Sequence, residues 1–333
     1  MKLFLYTFFF ILLCAFITSC AEDIPEPLTH SEILGLLGEK TSNGSNGNGN
    51  NGTTPIDDIP ITGDNYIAYI IESDDFPQMY IIGGDGEDKT AVTADWTMSG
   101  YAPFWTTNGK IAYYTLMNLG FSVINLDGTI DYSINTQQYG IVYEPYASWS
   151  RNNVVAISIS DAQFTSSDIY SINSDGTNFI QLTASPVGGY SSHPSWSPDG
   201  SQLVFSYEDY NAVSANIFIV DSSGLTVTQL TFEGEEYEPD WSPKGDKIAF
   251  VSYRDGNSEI YIMNVDGTNQ TNLTNTSWAY ESNPDWSPDG NMIAYQSDAN
   301  DNEDIYIMKA NGSGQTNLTN NPSADDIDPS WGP

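Results

Sequence analysis

Beyond residue 60 the chain is written in short apolar runs whose polar and apolar positions alternate, divided by Gly, Pro, Asn and Asp. Such runs predict β-strands, because successive side chains on a strand point to opposite faces. The stretch 238–274, EPDWSPKGDKIAFVSYRDGNSEIYIMNVDGTNQTNLT, shows the unit. A run ending at Trp241 is one strand. Ser242-Pro243-Lys244-Gly245 is a turn, with Pro setting φ at its second position and Gly supplying φ > 0. KIAFVS is a second strand and EIYIMNV a third, and Asp266-Gly267 makes the tight turn into a fourth. Equivalent first turns recur at 106–109, 150–153, 197–200 and 287–290. Equivalent second turns recur at Asp85-Gly86, Asp127-Gly128, Asp175-Gly176, Ser223-Gly224 and Asn311-Gly312.

Six tryptophans mark the period: Trp105, Trp149, Trp196, Trp241, Trp286 and Trp331, at intervals of 44, 47, 45, 45 and 45 residues. Four short strands repeated at that spacing predict an all-β, six-bladed β-propeller of four-stranded antiparallel blades. Second strands are expected to start near Ile67, Ile111, Val154, Leu203, Ile248 and Ile293. The first unit, 65–93, lacks a Trp-bearing first strand, whereas the C-terminal DPSW supplies one and lacks the rest. The two fragments are expected to complete one blade, so that the C-terminal strand closes the ring.

The series WSPDG, IAYQS and DIYIMKANGSGQTNLT resembles the TolB-type propeller repeat of bacterial envelope proteins. The resemblance spans residues 60–333 and is strongest in the last three units. It implies a binding platform without catalytic activity, although propeller motifs specify a fold rather than a function. TolB proteins carry an α/β domain before their six blades. This chain has a cysteine and an Asn/Gly-rich tether there instead, so TolB's own partners do not transfer.

Residues 1–19 read as a lipoprotein signal peptide: Lys2, then an apolar run over 3–17 that is shorter than the roughly 20 residues a membrane-spanning helix needs. Ile17-Thr18-Ser19-Cys20 resembles a bacterial lipobox, which implies lipidation of Cys20 and attachment to the membrane. Residues 20–55 follow as a lipid-anchored tail whose Asn/Gly tract over 41–55 cannot bury a core and spans roughly 20 Å. Residues 29–38 have the spacing of a two-turn helix at most, which is expected to fray in water unless it docks. The propeller domain then takes 56–333. Cys14 and Cys20 are the two cysteines of the chain, so no disulfide is expected in the domain.

Nine Lys and Arg against 44 Asp and Glu give a net charge of −35, which disfavours nucleic acid, whose binding needs cations to displace counterions from phosphate. The long connections on one side of the blades carry aromatic residues among acids. Trp96, Tyr101, Tyr143, Tyr190, Tyr237, Trp278 and Tyr280 are therefore the expected contacts with an envelope protein or peptide. Glu238, Asp240, Asp285 and Asp328 precede tryptophans of neighbouring blades and are the candidate Ca²⁺ ligands near the channel mouth. His193 is the one histidine after the tether. With no cysteine and no second histidine beside it, it is expected to be structural, so no catalytic residue is assigned. The leading reading is a monomeric, non-enzymatic outer-membrane lipoprotein, facing the periplasm or displayed on the cell surface. The alternative is a Ca²⁺-dependent glycan-binding or lyase-like propeller.

Overall fold

The computed structural model describes residues 65–72, 77–93, 102–115, 120–136, 139, 141–161, 163–212, 214–233 and 235–332, with 141–145 described in their backbone only. The signal segment, Cys20, the tether, the 29–38 segment, Trp96 and Tyr101 lie outside these residues. Strands are the regular elements of the described chain, in chain order. They begin with β1 (Tyr66–Glu72), β2 (Gln78–Gly83) and β3 (Thr90–Ala91), then β4 (Phe104–Trp105), β5 (Ile111–Thr115), β6 (Gly120–Ile124) and β7 (Ile130–Asn135). Next come β8 (Ile141–Trp149), β9 (Val154–Ser160), β10 (Ser167–Asn173) and β11 (Ile180–Gln181), then β12 (Gly189–Trp196), β13 (Gln202–Asp209), β14 (Ser214–Asp221) and β15 (Val227–Gln229). The last three repeats give β16 (Glu236–Trp241), β17 (Lys247–Ser252), β18 (Glu259–Asn264) and β19 (Thr271–Asn272), β20 (Glu281–Trp286), β21 (Met292–Ser297), β22 (Asp304–Lys309) and β23 (Thr316–Asn317), and β24 (Asp325–Trp331).

Second strands start within one residue of the expected positions, at Tyr66, Ile111, Val154, Gln202, Lys247 and Met292. Apart from β7, fourth strands are two or three residues long: β19 is only Thr271–Asn272, although the fourth-strand run TNQTNLT covers 268–274. β24 lies antiparallel to β1, with Trp331 opposite Ile67 and Asp325 opposite Glu72, in a sheet ordered β24-β1-β2-β3. The first strands abut in sequence, β4 on β8, β8 on β12, β12 on β16, β16 on β20 and β20 on β24, and β24 meets β4 again.

One departure from separate four-stranded units is that β8–β15 form a single eight-stranded sheet, joined by a parallel bridge between Ser167 and Tyr190. The cause is local. β12 runs back beyond its bulge to Gly189, and the carbonyl of Ser191 accepts hydrogen bonds from Ser158 Oγ at 2.6 Å and Ser167 Oγ at 3.1 Å. The long interval of 47 residues before Trp196 supplies the extra length.

The core lies in apolar layers between neighbouring sheets, which explains why the inner strands read as nearly continuous apolar runs. Ile67 and Tyr69 pack with Ala294, Ile305, Ile307 and Trp331 on one side of β1. Ala68 and Ile70 pack with Trp105, Ile111 and Tyr113 on the other. The tight turn between third and fourth strands also packs between sheets. Gly267 has φ 82°, and a Cβ there would lie 2.6 Å from the Leu230 carbonyl oxygen of the preceding sheet; Gly312 stands likewise against Leu273. Replacing Gly267 with Ala combines a left-handed backbone with a clash against main chain, so a loss of about 2 kcal/mol or more is expected, measurable by denaturant melts.

Candidate functional site

First strands carry a bulge where the register shifts, between Ser192 and Ser195, Tyr237 and Asp240, and Ser282 and Asp285. The residue three before the tryptophan takes a left-handed backbone: Ala102, His193, Glu238, Asn283 and Asp328 have φ between 48° and 54°. A proline follows each of these. With Tyr146, these residues line a cavity of ≈ 220 Å³ at the centre of the abutting strands.

The residue just before the tryptophan staples one first strand to the next. Ser148 Oγ accepts the Trp196 N–H at 3.0 Å, and Ser195 Oγ accepts that of Trp241 at 3.0 Å. Asp240 accepts from Trp286 at 2.9 Å and Asp285 from Trp331 at 2.9 Å. Trp105 Nε1 donates to the Ser330 carbonyl at 2.9 Å. The first four of these bonds satisfy main-chain N–H groups and the last an indole N–H.

Around the cavity mouth Asp328 collects donors from three sides: Ala102 N at 3.1 Å, Asn283 Nδ2 at 3.0 Å and Tyr146 Oη at 3.4 Å. Glu238 accepts the Asn283 N–H at 2.7 Å. Burial raises all four candidate acids, because a charged carboxylate loses hydration there. Glu238 is pushed up to about 7, and Asp240 and Asp328 to about 6. Asp285 is held well above the usual range by burial and by the charge of Asp240. The His193 ring lies 4.1 Å from that of Tyr146, tilted by 30°, and burial pushes it down to about 3, leaving the imidazole neutral.

The structure thus brings Glu238, Asp240, Asp285 and Asp328 to one cavity, where both oxygens of Asp240 and Asp328, Oε2 of Glu238 and Oδ1 of Asp285 accept from protein N–H and O–H donors. Among the described residues, no group of three or more His, Cys, Asp or Glu side chains is set to hold a metal.

The expected aromatic contacts separate. Trp278 is 73% and Tyr280 56% exposed in the connection from β19 to β20, with Tyr280 N fixed by Asp298 at 2.7 Å. Tyr237 is half-buried and T-shaped to Tyr253 at 5.9 Å. Tyr190 is buried rather than available, because β12 begins at Gly189 and lets its hydroxyl donate to the Phe164 carbonyl at 2.8 Å. The Tyr143 side chain lies outside the described atoms.

Sequence reasoning missed Tyr210, Tyr253 and Val187, which are also exposed. With Phe232, Trp278 and Tyr280 they form an arc confined to connections between second and third strands or between one repeat and the next, all on one side of the sheets from β12 to β20. Apolar residues inside polar connections were the available signal. Glu233 and Glu235 are exposed within the arc.

The family model described as TolB beta propeller domain matches residues 62–333. TolB from Acinetobacter baumannii is 23% identical, with a TM-score of 0.66 over 81% of this chain and 67% of that one. The putative TolB from Agrobacterium tumefaciens is 23% identical, with a TM-score of 0.61 over 81% of this chain and 91% of that one. The tricorn protease is 18% identical, with a TM-score of 0.56 over 79% of this chain and 26% of its own. No curated protein matches the chain.

Proposed function

We propose, from the premise that the chain belongs to the TolB β-propeller family, that it is a non-enzymatic binding scaffold of the bacterial cell envelope. In this reading Cys20 carries the lipid, the Asn/Gly tract holds the domain off the membrane, and six blades close into a ring through β24. The long-connection side meets a protein or peptide bearing Lys or Arg beside apolar side chains. The observation that carries this is the arc of Val187, Tyr210, Phe232, Tyr253, Trp278 and Tyr280, exposed on one side of adjacent sheets. Rigid aromatic surface gives large contact area at small entropic cost. The exposed Glu233 and Glu235, on a chain of net charge −35, favour a cationic partner and an association that weakens with salt.

The test is a double substitution, Trp278→Ala with Tyr280→Ala. Both side chains are mostly in solvent, so the melting temperature is expected to hold while recovery of the crosslinked partner from cells falls about tenfold or more. Undiminished recovery contradicts the assignment of this side.

A further inference from the structure

A second set of acids lies away from the central cavity, where three successive repeats build the same station from equivalent positions. One member precedes the third-strand residue whose N–H bonds a threonine hydroxyl: Asn216, Glu259 or Asp304, before Ile217, Ile260 and Ile305. The other stands five residues before the next tryptophan: Glu236, Glu281 or Asp326. All six are buried.

The three stations differ in how charge is balanced. At the first, Asn216 is neutral and Glu236 is met by Arg254, whose Nη2 lies 3.1 Å from Oε1. At the third, the cation acting on Asp326 is Lys89. The middle station, like the third, carries two carboxyls, but the position equivalent to Arg254 is Ala299.

Glu259 there receives Thr274 Oγ1, Thr276 N at 3.1 Å and Asn257 Nδ2 at 3.2 Å. Glu281 Oε1 receives Thr276 Oγ1 at 2.7 Å and Ser297 Oγ at 3.3 Å. Glu281 is only 1% exposed, yet its Oε2 receives no hydrogen bond. A buried acid left in that state next to a second one is costly unless a proton is shared between them or a cation joins them.

We propose that Glu259 and Glu281 bind a Ca²⁺ ion, which fills the place that the Arg254 guanidinium takes one repeat earlier. The donors on offer are all oxygen: two carboxylates and the hydroxyls of Thr276 and Ser297. Two negative charges match a divalent ion, and an irregular oxygen set suits Ca²⁺ better than Mg²⁺, which demands near-octahedral geometry. The site is distinct from the central acids, which line the cavity between the first strands.

The experiment is thermal melting of the full chain after chelation, at constant ionic strength, with Ca²⁺ or Mg²⁺ at about 1 mM. Ca²⁺ is expected to raise the melting temperature by about 5 °C, and Mg²⁺ to raise it far less. Glu281→Gln is expected to lose the Ca²⁺ response. Ala299→Arg installs the missing guanidinium and is expected to lose it too, while melting in chelator at or above the unsubstituted chain. If Ala299→Arg does not fold, Glu259→Gln takes its place, with loss of the response expected. A chain indifferent to Ca²⁺ overturns the proposal, and a higher melt of Glu281→Gln would then assign a shared proton instead. A response that survives in both variants overturns it as well, since the ion would sit elsewhere.

Discussion

Replacing Trp331 with alanine is expected to lower stability by about 3 to 5 kcal/mol, the cost of emptying a buried tryptophan site. For a domain of this size that is a fall of roughly 10 °C in melting temperature. Trp331 is 6% exposed and packs among Ile67, Tyr69, Ile82, Ala294, Ile305 and Ile307, which come from both the first and the last complete repeats. Its N–H is held by Asp285 at 2.9 Å and its Nε1 donates to Asn65 Oδ1 at 3.2 Å. The side chain therefore joins segments more than 200 residues apart. Deleting residues 328–333 removes in addition the pairing of Trp331 with Ile67 and of Ser330 with Ala68, and leaves that end of β1 unpaired. The deletion is expected to melt lower still, and an unchanged melt in either variant contradicts the role given to β24.

The second large effect is a loss of stability as pH rises from 6 to 8, measured in chelator. Glu238, Glu281 and Glu303 are pushed up to about 7 by burial, and Asp240 and Asp328 to about 6. A carboxyl raised in the folded state keeps its proton where the unfolded chain has lost it. Its stabilising contribution is complete below the unfolded value near 4 and is lost as pH climbs through 6 and 7. His193, pushed down to about 3, acts in the opposite sense, because the unfolded imidazole gains its proton below about 6.5. Turn acids with lowered values, such as Asp199, lose their contribution only below the usual carboxylate range, outside this window. Three carboxyls against one imidazole, discounted for partial solvent screening, leave a net loss of roughly 3 kcal/mol between pH 6 and pH 8. Glu238→Gln is expected to flatten the profile. A melting temperature that rises over this interval contradicts the burial of these groups.

Much of the fold is legible because it is repeated. The tryptophan period and the Asp-Gly and Pro-X-Gly turns fix the second strands to within about a residue, and the half-unit at each end points to the pairing of β24 with β1. What sequence hides is the partner of each polar group. Ser148, Ser195, Asp240 and Asp285 sit visibly before tryptophans, yet only the abutting of successive strands reveals that they receive the next tryptophan's N–H. Through that contact two of the expected cation ligands, Asp240 and Asp285, also staple neighbouring strands. Tyr190 resembles Tyr280 in sequence context, but the added length of β12 carries it inward. The Glu259–Glu281 pair is invisible from spacing alone, since its members lie on different sheets and gain meaning only beside Arg254 one repeat earlier.

The most direct test of the binding reading is site-specific photocrosslinking in living cells, with the reactive group placed at Tyr280 and, on the opposite side of the sheets, at Leu225, both exposed. The account predicts a discrete crosslinked protein from position 280, diminished by Trp278→Ala and by added salt, and none from position 225. Equal capture from both positions, or capture from 225 alone, would contradict it.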